Sequence, residues 1–251
     1  MRLASEAARR SVSLVVAVGG DGTLNEVVNG VTDDDGQSRS AVGALMTGRG
    51  RDACRNLGVA RDLREAARRL VEGREVRYDL GLARWPGGHR FFLASAGAGF
   101  DAMVAARAAN LSGRGTIPYL RAVLASLRDY APAEVTVEVD NGPRWSGRAA
   151  AVITSNGACF GGGMRIAPDG DPADGELDVV VLGALGRWEL IRWLPTVYWG
   201  GHVRNPKVWL SRGRVIHVRA TAPLPIQIDG EVCGGTPLQV SVCPGALRLC
   251  R

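Results

Sequence analysis

The stretch VSLVVAVGGDGTLNEVVNG, residues 12–30, decides the fold, because an apolar run there meets a glycine loop and then a helical pattern. The apolar, β-branched run at 12–18 is typical of a strand that is buried on both faces. Thr23 and Glu26 have the spacing of a capping box and predict that a short helix follows. This order of strand, glycine loop and helix can bind phosphate, since glycines let backbone N–H groups approach an anion and the helix N-terminus adds partial positive charge.

Asp21, inside the glycine loop, is the unusual residue of this stretch. A carboxylate repels phosphate unless a cation lies between them, so Asp21 predicts Mg²⁺ held together with a nucleotide. The alternative is a plain Gly/Asp turn followed by a helix cap. The strand before the loop and the helix after it favour the functional interpretation.

Composition excludes several classes of protein. The 251 residues contain 31 Lys+Arg against 25 Asp+Glu, and Lys207 is the single lysine, so a Walker-type P-loop with its lysine is excluded. The five cysteines form no C-x-x-C pair, which favours a reducing cytosol over a disulfide scaffold. No apolar run approaches the ~20 residues of a membrane span. The arginines predict a solvated surface with additional attraction to anionic membranes, and no nucleic-acid motif accompanies them.

The first part of the chain alternates strand and helix. A second apolar strand at 41–45 runs into a second glycine loop at 48–51. Asp62 is placed to cap a helix that ends before Gly73. These elements predict an open α/β sheet.

From about residue 76 onward, strands with period-two alternation dominate and predict antiparallel β-structure with one solvated face. Helices interrupt this region at about 101–111, 117–130 and 187–198. The predicted strands cover residues 76–83, 90–95, 134–140, 148–155, 177–182, 214–220, 225–229 and 237–242.

Residues 19–30, GGDGTLNEVVNG, resemble the signature of the diacylglycerol kinase catalytic domain, which bacterial lipid kinases and sphingosine kinases share. NAD kinases share the GGDGT core, but the continuation LNEVVNG favours the lipid kinases. Further blocks that match the family follow in order at 42–58, 99–102, 156–164, 174–178 and 229–231. The resemblance implies a three-layer, Rossmann-like α/β domain at 1–78 and a β-rich, sandwich-like domain at 79–251. It places the site in the cleft between them and packs the extreme C-terminus back on the first domain.

The resemblance also implies roles for individual residues. Glu231 is the general base that deprotonates the lipid hydroxyl, and Asp21 is the rival candidate for that role. Asp101 contacts the lipid headgroup, although it would also suit the cap of the following helix. The Mg²⁺-linked loop carries Asp171, Asp174 and Glu176. The implied nucleotide-binding residues for ATP are Gly19, Gly20, Asp21, Gly22, Thr23, Asn25, Gly48, Arg49, Gly50 and Asp52.

Two departures from the family pattern stand out. In the second glycine loop, Arg49 replaces a nucleotide-contacting Thr and Arg51 replaces an Asn. These arginines either pair with phosphate or fill the pocket and block it. The family begins with a strand, a phosphate loop and a helix before the GGDGT strand, whereas this chain starts with what resembles the tail of that helix at 2–10. We therefore expect an N-terminally truncated kinase domain.

The leading hypothesis is an ATP- and Mg²⁺-dependent lipid kinase that phosphorylates diacylglycerol or a related lipid. It is expected to be cytoplasmic and peripheral to the inner face of the membrane, with no nucleic-acid partner. Its oligomeric state stays open, a homodimer being one option. The alternatives are a catalytically impaired pseudokinase that binds lipid or nucleotide, and an NAD kinase.

Overall fold

The computed structural model describes residues 1–48, 50–109 and 117–251, and its first part has the predicted alternation of strands and helices. Two parallel strands, β1 and β2, each run into one of the two glycine loops. The elements of this part are α1 (Arg2–Arg9), β1 (Leu14–Gly19), α2 (Asp21–Val31), β2 (Ala41–Met46), α3 (Asp52–Asn56) and α4 (Leu63–Glu72).

The remainder is β-rich, as the alternating pattern predicts. Its strands are β3 (Glu75–Trp85), β4 (Gly88–Phe92), β5 (Ser95–Gly99), β6 (Ala133–Val139), β7 (Arg144–Ser155), β8 (Leu177–Gly183), β9 (Val208–Gly213), β10 (Val215–Ala220), β11 (Pro225–Ile228), β12 (Glu231–Gly235) and β13 (Leu238–Cys250). Its helices are α5 (Phe100–Ala109), α6 (Ile117–Ser126) and α7 (Arg187–Trp193), and two 3₁₀ turns follow at Leu194–Trp199 and Gly201–Arg204. Among the described residues, no helix is long and apolar enough to cross a bilayer.

Within the described residues, one hydrogen-bonded sheet connects the two parts. Its main path runs β1-β2-β13-β10-β6-β7-β5-β11-β12, with β3, β4, β8 and β9 as branches. Strand β13 pairs antiparallel with β10 near its start and parallel with β2 at its end, where Leu249 lies opposite Val42. Leu247 and Leu249 therefore complete the apolar core beneath α2, next to Leu24. This confirms an α/β part joined to a β-rich part.

Helix α4 confirms its predicted boundaries, but the predicted cap of α2 is wrong. Asp62 accepts a hydrogen bond from the Glu65 N–H (2.9 Å), and Gly73 ends α4 in the left-handed conformation. Helix α2 instead begins at Asp21, with Gly20 as an N-cap that offers no side-chain acceptor. Since the helix starts earlier than the capping-box spacing requires, Thr23 and Glu26 lie inside it.

The single strand predicted at 90–95 is also wrong, because it is two strands. Strand β4 ends at Phe92 and β5 begins at Ser95. Between them, the N–H groups of Leu93 and Ala94 donate to the carboxylate of Asp229, so they are withdrawn from strand pairing. Strands β9 and β12 were not predicted as separate elements. The predicted helix at 101–111 is observed to residue 109, and its last two positions lie outside the described residues.

The predicted helix at 187–198 changes character along its length. It is α-helical through Trp193 and continues as a 3₁₀ helix over Leu194–Trp199. Pro195 lies at the start of the 3₁₀ part, where its missing N–H removes an α-helical hydrogen bond.

Candidate active site

The two glycine loops lie directly against each other. The N–H groups of Thr47 and Gly48 donate to the carbonyl oxygen of Gly19, at 2.8 and 3.2 Å. A Cβ atom on Gly48 would stand 2.4 Å from the Cα of Gly20, so any larger residue would push the loops apart. Together the loops form one surface at the N-terminus of α2, where the first backbone N–H groups have no intrahelical acceptor.

Asp21, the first residue of α2, holds the second loop in place. Its Oδ2 accepts the N–H of Arg51 (2.9 Å) and its Oδ1 accepts the N–H of Ala53 (3.0 Å), at the start of α3. Arg51 has a φ of +55°, a left-handed conformation that suits the Asn of the family pattern better. Its Nε donates to the Gly48 carbonyl (3.3 Å), so this side chain folds back onto its own loop. Arg49, the other departure, lies outside the described residues.

Helix α3 joins the second loop to the glycine run at 161–163. Asp52 Oδ2 accepts the N–H of Gly162 (2.8 Å), and Asn56 exchanges two hydrogen bonds with the backbone of Cys159 (2.7 and 3.0 Å). Burial raises the pKa of Asp52, the Gly162 N–H opposes that rise, and the nearby Asp21 adds to it. The glycine run is therefore tied to the nucleotide half of the molecule.

The turn between β11 and β12 presents Glu231. Asp229 and Gly230 have φ values of +47° and +87°, the left-handed pair of a tight hairpin turn. The Asp229 carboxylate accepts three backbone N–H groups, those of residues 93, 94 and 95, at 2.8–3.0 Å, and the Asn25 side-chain amide at 2.8 Å. Burial raises the pKa of Asp229, and these donors oppose the rise. Asp229 therefore has a structural role that fixes the turn against α2.

Asn25, predicted to contact the nucleotide, is fully buried and is bonded within the protein. Its Nδ2 donates to the Phe91 carbonyl (2.9 Å) and its Oδ1 accepts the Nε of Arg90 (2.8 Å). Arg90 in turn pairs with Oε2 of Glu231. The predicted nucleotide contact is therefore corrected to a role in positioning Arg90. Arg90 itself was missed, because a single arginine in a strand carries no local signal.

Glu231, in contrast, keeps one oxygen available. Its side chain is 49% exposed, and Oε1 lies 3.7 Å from where a Cβ on Gly22 would stand. This places the carboxylate beside the N-terminus of α2, across from the loop surface that would receive phosphate. The structure thus brings the predicted base to the predicted phosphate site.

Asp101 lies in the first turn of α5 and is 8% exposed. Its Oδ2 accepts the Gln227 side-chain amide (3.2 Å), while its Oδ1 is buried without a hydrogen-bond partner. Burial raises the pKa of Asp101 to about 7, and the bond from Gln227 opposes that rise. Near neutral pH both protonation states of this carboxyl are therefore populated.

A cleft of about 520 Å³ is lined by several of these residues, though not by Glu231, Gly20 or Gly48. Asp21, Gly50 and Asp52 line its polar end, Asp229 and Gly230 one side, and Asp101 and Phe160 the other. Asp101 and Phe160 also border a second, smaller pocket of about 80 Å³ whose other walls are mainly apolar. Its apolar lining includes Phe100, Val104, Ile153, Met164, Ile166, Leu190, Trp193, Leu194 and Val197. The cleft therefore reaches Asp21, at the start of α2, and meets an apolar pocket at Asp101 and Phe160.

The predicted metal residues Asp171, Asp174 and Glu176 do not line this cleft. Arg212 pairs with Asp174, and its guanidinium also lies 3.6 Å from Glu176 and 3.2 Å from Asp178. Within the described part of the chain, no group of three or more His, Cys, Asp or Glu side chains is arranged to hold a metal ion. Carboxylates suit Mg²⁺ chemically, but here a guanidinium pairs with Asp174 and Glu176, and Oδ1 of Asp171 accepts the Ala173 N–H, so these three residues do not fit a metal site.

Comparisons with known proteins identify the family of this chain. The family model of the diacylglycerol kinase catalytic domain matches residues 1–83, and the model of the YegS C-terminal NAD kinase β-sandwich-like domain matches residues 94–251. The chain is 27% identical over 252 aligned positions to a diacylglycerol kinase of Mycobacterium tuberculosis, covering 99% of this chain and 80% of that protein. It is 29% identical over 247 positions to a diacylglycerol kinase of Bacillus subtilis, covering 93% and 76%.

A crystal structure of a diacylglycerol kinase from Bacillus anthracis has the same fold. It superposes with a TM-score of 0.73 at 21% identity, and the match covers 99% of this chain and 79% of that one. This structure confirms the predicted fold, and the family models and curated relatives confirm the family resemblance predicted from the ordered sequence blocks.

Proposed function

Since this chain belongs to the diacylglycerol kinase family, we propose that it is an ATP-dependent lipid kinase that phosphorylates the hydroxyl of diacylglycerol or a related lipid. The observation that carries the proposal is the position of Glu231. Its half-exposed carboxylate faces Gly22 at the N-terminus of α2, beside a cleft that becomes apolar at Asp101 and Phe160. One cavity can therefore hold a phosphate donor and a lipid acceptor together.

The loop surface formed by Gly20 and Gly48 is the proposed site for the phosphates of ATP. Unpaired N–H groups at the start of α2 attract anions, and the helix dipole adds to this attraction. This arrangement needs no lysine. Asp21 supports it indirectly, because its carboxylate fixes the loop that carries Gly48 and Gly50.

Glu231 is the better candidate for the general base. Both oxygens of Asp21 already accept backbone N–H groups, whereas Oε1 of Glu231 has no donor in the structure described. In the proposed step, Glu231 takes the proton of the lipid hydroxyl while the hydroxyl oxygen attacks the γ-phosphorus. The bond to the β-γ bridging oxygen breaks and ADP leaves. Arg90 holds the other oxygen of Glu231 and so orients it.

Asp101 and the small apolar pocket are proposed to hold the lipid. In its protonated form, Asp101 can donate a hydrogen bond to an oxygen of the lipid headgroup, and an acyl chain can enter the recess beyond Phe160. Because the substrate resides in a bilayer, we expect the kinase to work as a peripheral protein at the cytoplasmic membrane surface. Mg²⁺ is expected to arrive as the complex with ATP, where it neutralises phosphate charge, and no step above depends on it.

The test is transfer of radiolabelled phosphate from ATP to diacylglycerol, sphingosine and NAD, offered separately. We expect label on diacylglycerol or a close analogue, and a fall of about 10²–10⁴-fold in kcat for Glu231→Gln. Glu75→Gln is the matched control, because Glu75 is also a half-exposed glutamate paired with an arginine, Arg248. Label on NAD alone would identify an NAD kinase, and binding of ATP without transfer to any acceptor would identify a pseudokinase.

A further inference from the structure

The segment from Arg187 to Arg204, made of α7 and the two 3₁₀ turns, has two different faces. Its inner face lines the small apolar pocket with Leu190, Trp193, Leu194 and Val197. Its outer face carries Trp188, Arg192, Pro195 and Trp199, all of which are exposed to solvent. Trp188 is 82% exposed and Trp199 is 64% exposed. Two large aromatic side chains thus stand in solvent on the wall of the proposed lipid site.

The same segment carries excess positive charge. Residues 187–207 contain Arg187, Arg192, Arg204 and Lys207, against Glu189 as the one acidic residue. Lys207 Nζ is hydrogen-bonded to both carboxylate oxygens of Glu189, at 2.8 and 2.7 Å. This pair neutralises itself, so the three exposed arginines supply the net charge of the segment.

We propose that the exposed surface of this segment, formed by Trp188 and Trp199 together with Arg187, Arg192 and Arg204, docks on an anionic lipid bilayer. This surface is the outer face of the segment. The inference rests on the proposed function, since a bilayer is where the lipid substrate resides. Tryptophan prefers the boundary between headgroups and acyl chains, and arginine pairs with lipid phosphates. The segment is too short to span a membrane, so it would lie in the plane of the interface. Docking in this way would bring the apolar pocket behind α7 to the bilayer surface.

A second copy of the chain is a poorer occupant for this face. In a two-fold symmetric contact the same patch meets itself, so two surfaces of the same net positive charge would be brought together. Like charges opposed in this way disfavour association. An anionic bilayer instead complements both the aromatic and the basic parts of the face.

The experiment is co-sedimentation with vesicles of phosphatidylglycerol, compared with phosphatidylcholine, in buffer without ATP. We expect binding to phosphatidylglycerol that weakens with added salt. Trp188→Ser should weaken it about tenfold through lost apolar burial, and Arg192→Gln about fivefold through one lost charge. The matched controls on α4, Val71→Ser at a valine that is 89% exposed and Arg64→Gln, should bind like the wild type.

A second measurement distinguishes loss of docking from misfolding of a variant. In the wild-type protein, brominated lipids should quench part of the tryptophan fluorescence, and Trp188→Ser should lose a share of that quenching. Trp188→Ser that binds vesicles like the wild type would overturn the proposal. So would a dimer in lipid-free solution that Trp188→Ser converts to monomer. The binding assays contain no ATP, so their result does not depend on catalysis. If the protein phosphorylates detergent-dispersed lipid but does not bind vesicles, the docking face is rejected and the proposed function is not.

Discussion

Replacing Asp101 by asparagine should change how the stability of the protein depends on pH. The carboxyl is 8% exposed, one of its oxygens has no hydrogen-bond partner, and burial raises its pKa from 3.8 to about 7. Between these two values the unfolded chain releases the proton while the folded chain keeps it. The stability associated with this group is therefore complete below pH ~4, is lost as the pH rises, and stops falling above about pH 7.

The size of the effect follows from the same two values. Each unit of pKa difference corresponds to about 1.36 kcal/mol, so the full loss is about 4 kcal/mol, of which about 2.5 kcal/mol falls between pH 5 and pH 8. Asparagine can still accept the bond from Gln227, but it does not ionise. The free energy of unfolding of Asp101→Asn should therefore rise relative to the wild type by about 2.5 kcal/mol across this pH range.

Urea unfolding followed by circular dichroism at pH 5, 6, 7 and 8 and constant ionic strength measures this difference. Asp52 and Asp178 also have raised pKa values, the latter about 6, but they are present in both proteins and cancel in the comparison. Asp62→Asn, at the exposed N-cap of α4, should follow the wild type at every pH. A wild-type-minus-variant difference that stays constant from pH 5 to pH 8 would refute the assignment of a buried, partly protonated Asp101. If the group also contacts the lipid, kcat/KM for lipid should fall while the KM for ATP is unchanged.

Two further substitutions test the loops and the orientation of the base. Gly48→Ala puts a Cβ at 2.4 Å from the Gly20 Cα, so ATP affinity, measured by calorimetry, should fall at least tenfold. The control Gly142→Ala, in an open turn, should not change ATP affinity. Unchanged ATP binding by Gly48→Ala would contradict the contact between the loops. A lysine at position 90 cannot hold Asn25 and Glu231 together as the guanidinium does, so Arg90→Lys should lower kcat about tenfold with little change in KM. The control Arg84→Lys, on the neighbouring strand, should leave kcat unchanged. An equal loss of kcat in both variants would argue against a role of Arg90 in positioning Glu231.

The sequence predicts best those features whose cause is local. The strand predicted at 12–18, the glycine loop after it and the cap at Asp62 each depend on residues a few positions apart. The loop and the cap lie where the pattern places them, whereas the strand is observed at Leu14–Gly19 and, with Val16 and Val18 exposed, is not buried on both faces. The Asp229-Gly230 turn was recognisable for the same reason, since both residues tolerate positive φ. These elements position the phosphate loops and Glu231.

Features that depend on distant residues were not predictable from the pattern. The break between β4 and β5 arises from a carboxylate more than 130 positions away, because Asp229 draws the N–H groups of Leu93 and Ala94 out of the sheet. Arg212 pairs with Asp174 in the acidic loop from 38 positions away. No period or spacing in the chain connects such pairs. The sequence therefore predicted one strand where there are two, and a metal-binding loop where the structure has an ion pair with an arginine.

Hydrogen-bond saturation separates the carboxylates that motif reading could not tell apart. Asp21 and Asp229 both stand in glycine-containing motifs, yet each has both oxygens bonded to donors of the protein. Glu231 keeps Oε1 without a donor, and Asp101 keeps Oδ1 buried and unpaired. A group can take a proton from a substrate, or offer one to it, only through an oxygen that the fold has left uncommitted. By this criterion the carboxylates that the fold leaves available are Glu231, beside the N-terminus of α2, and Asp101, which borders both the cleft and the apolar pocket.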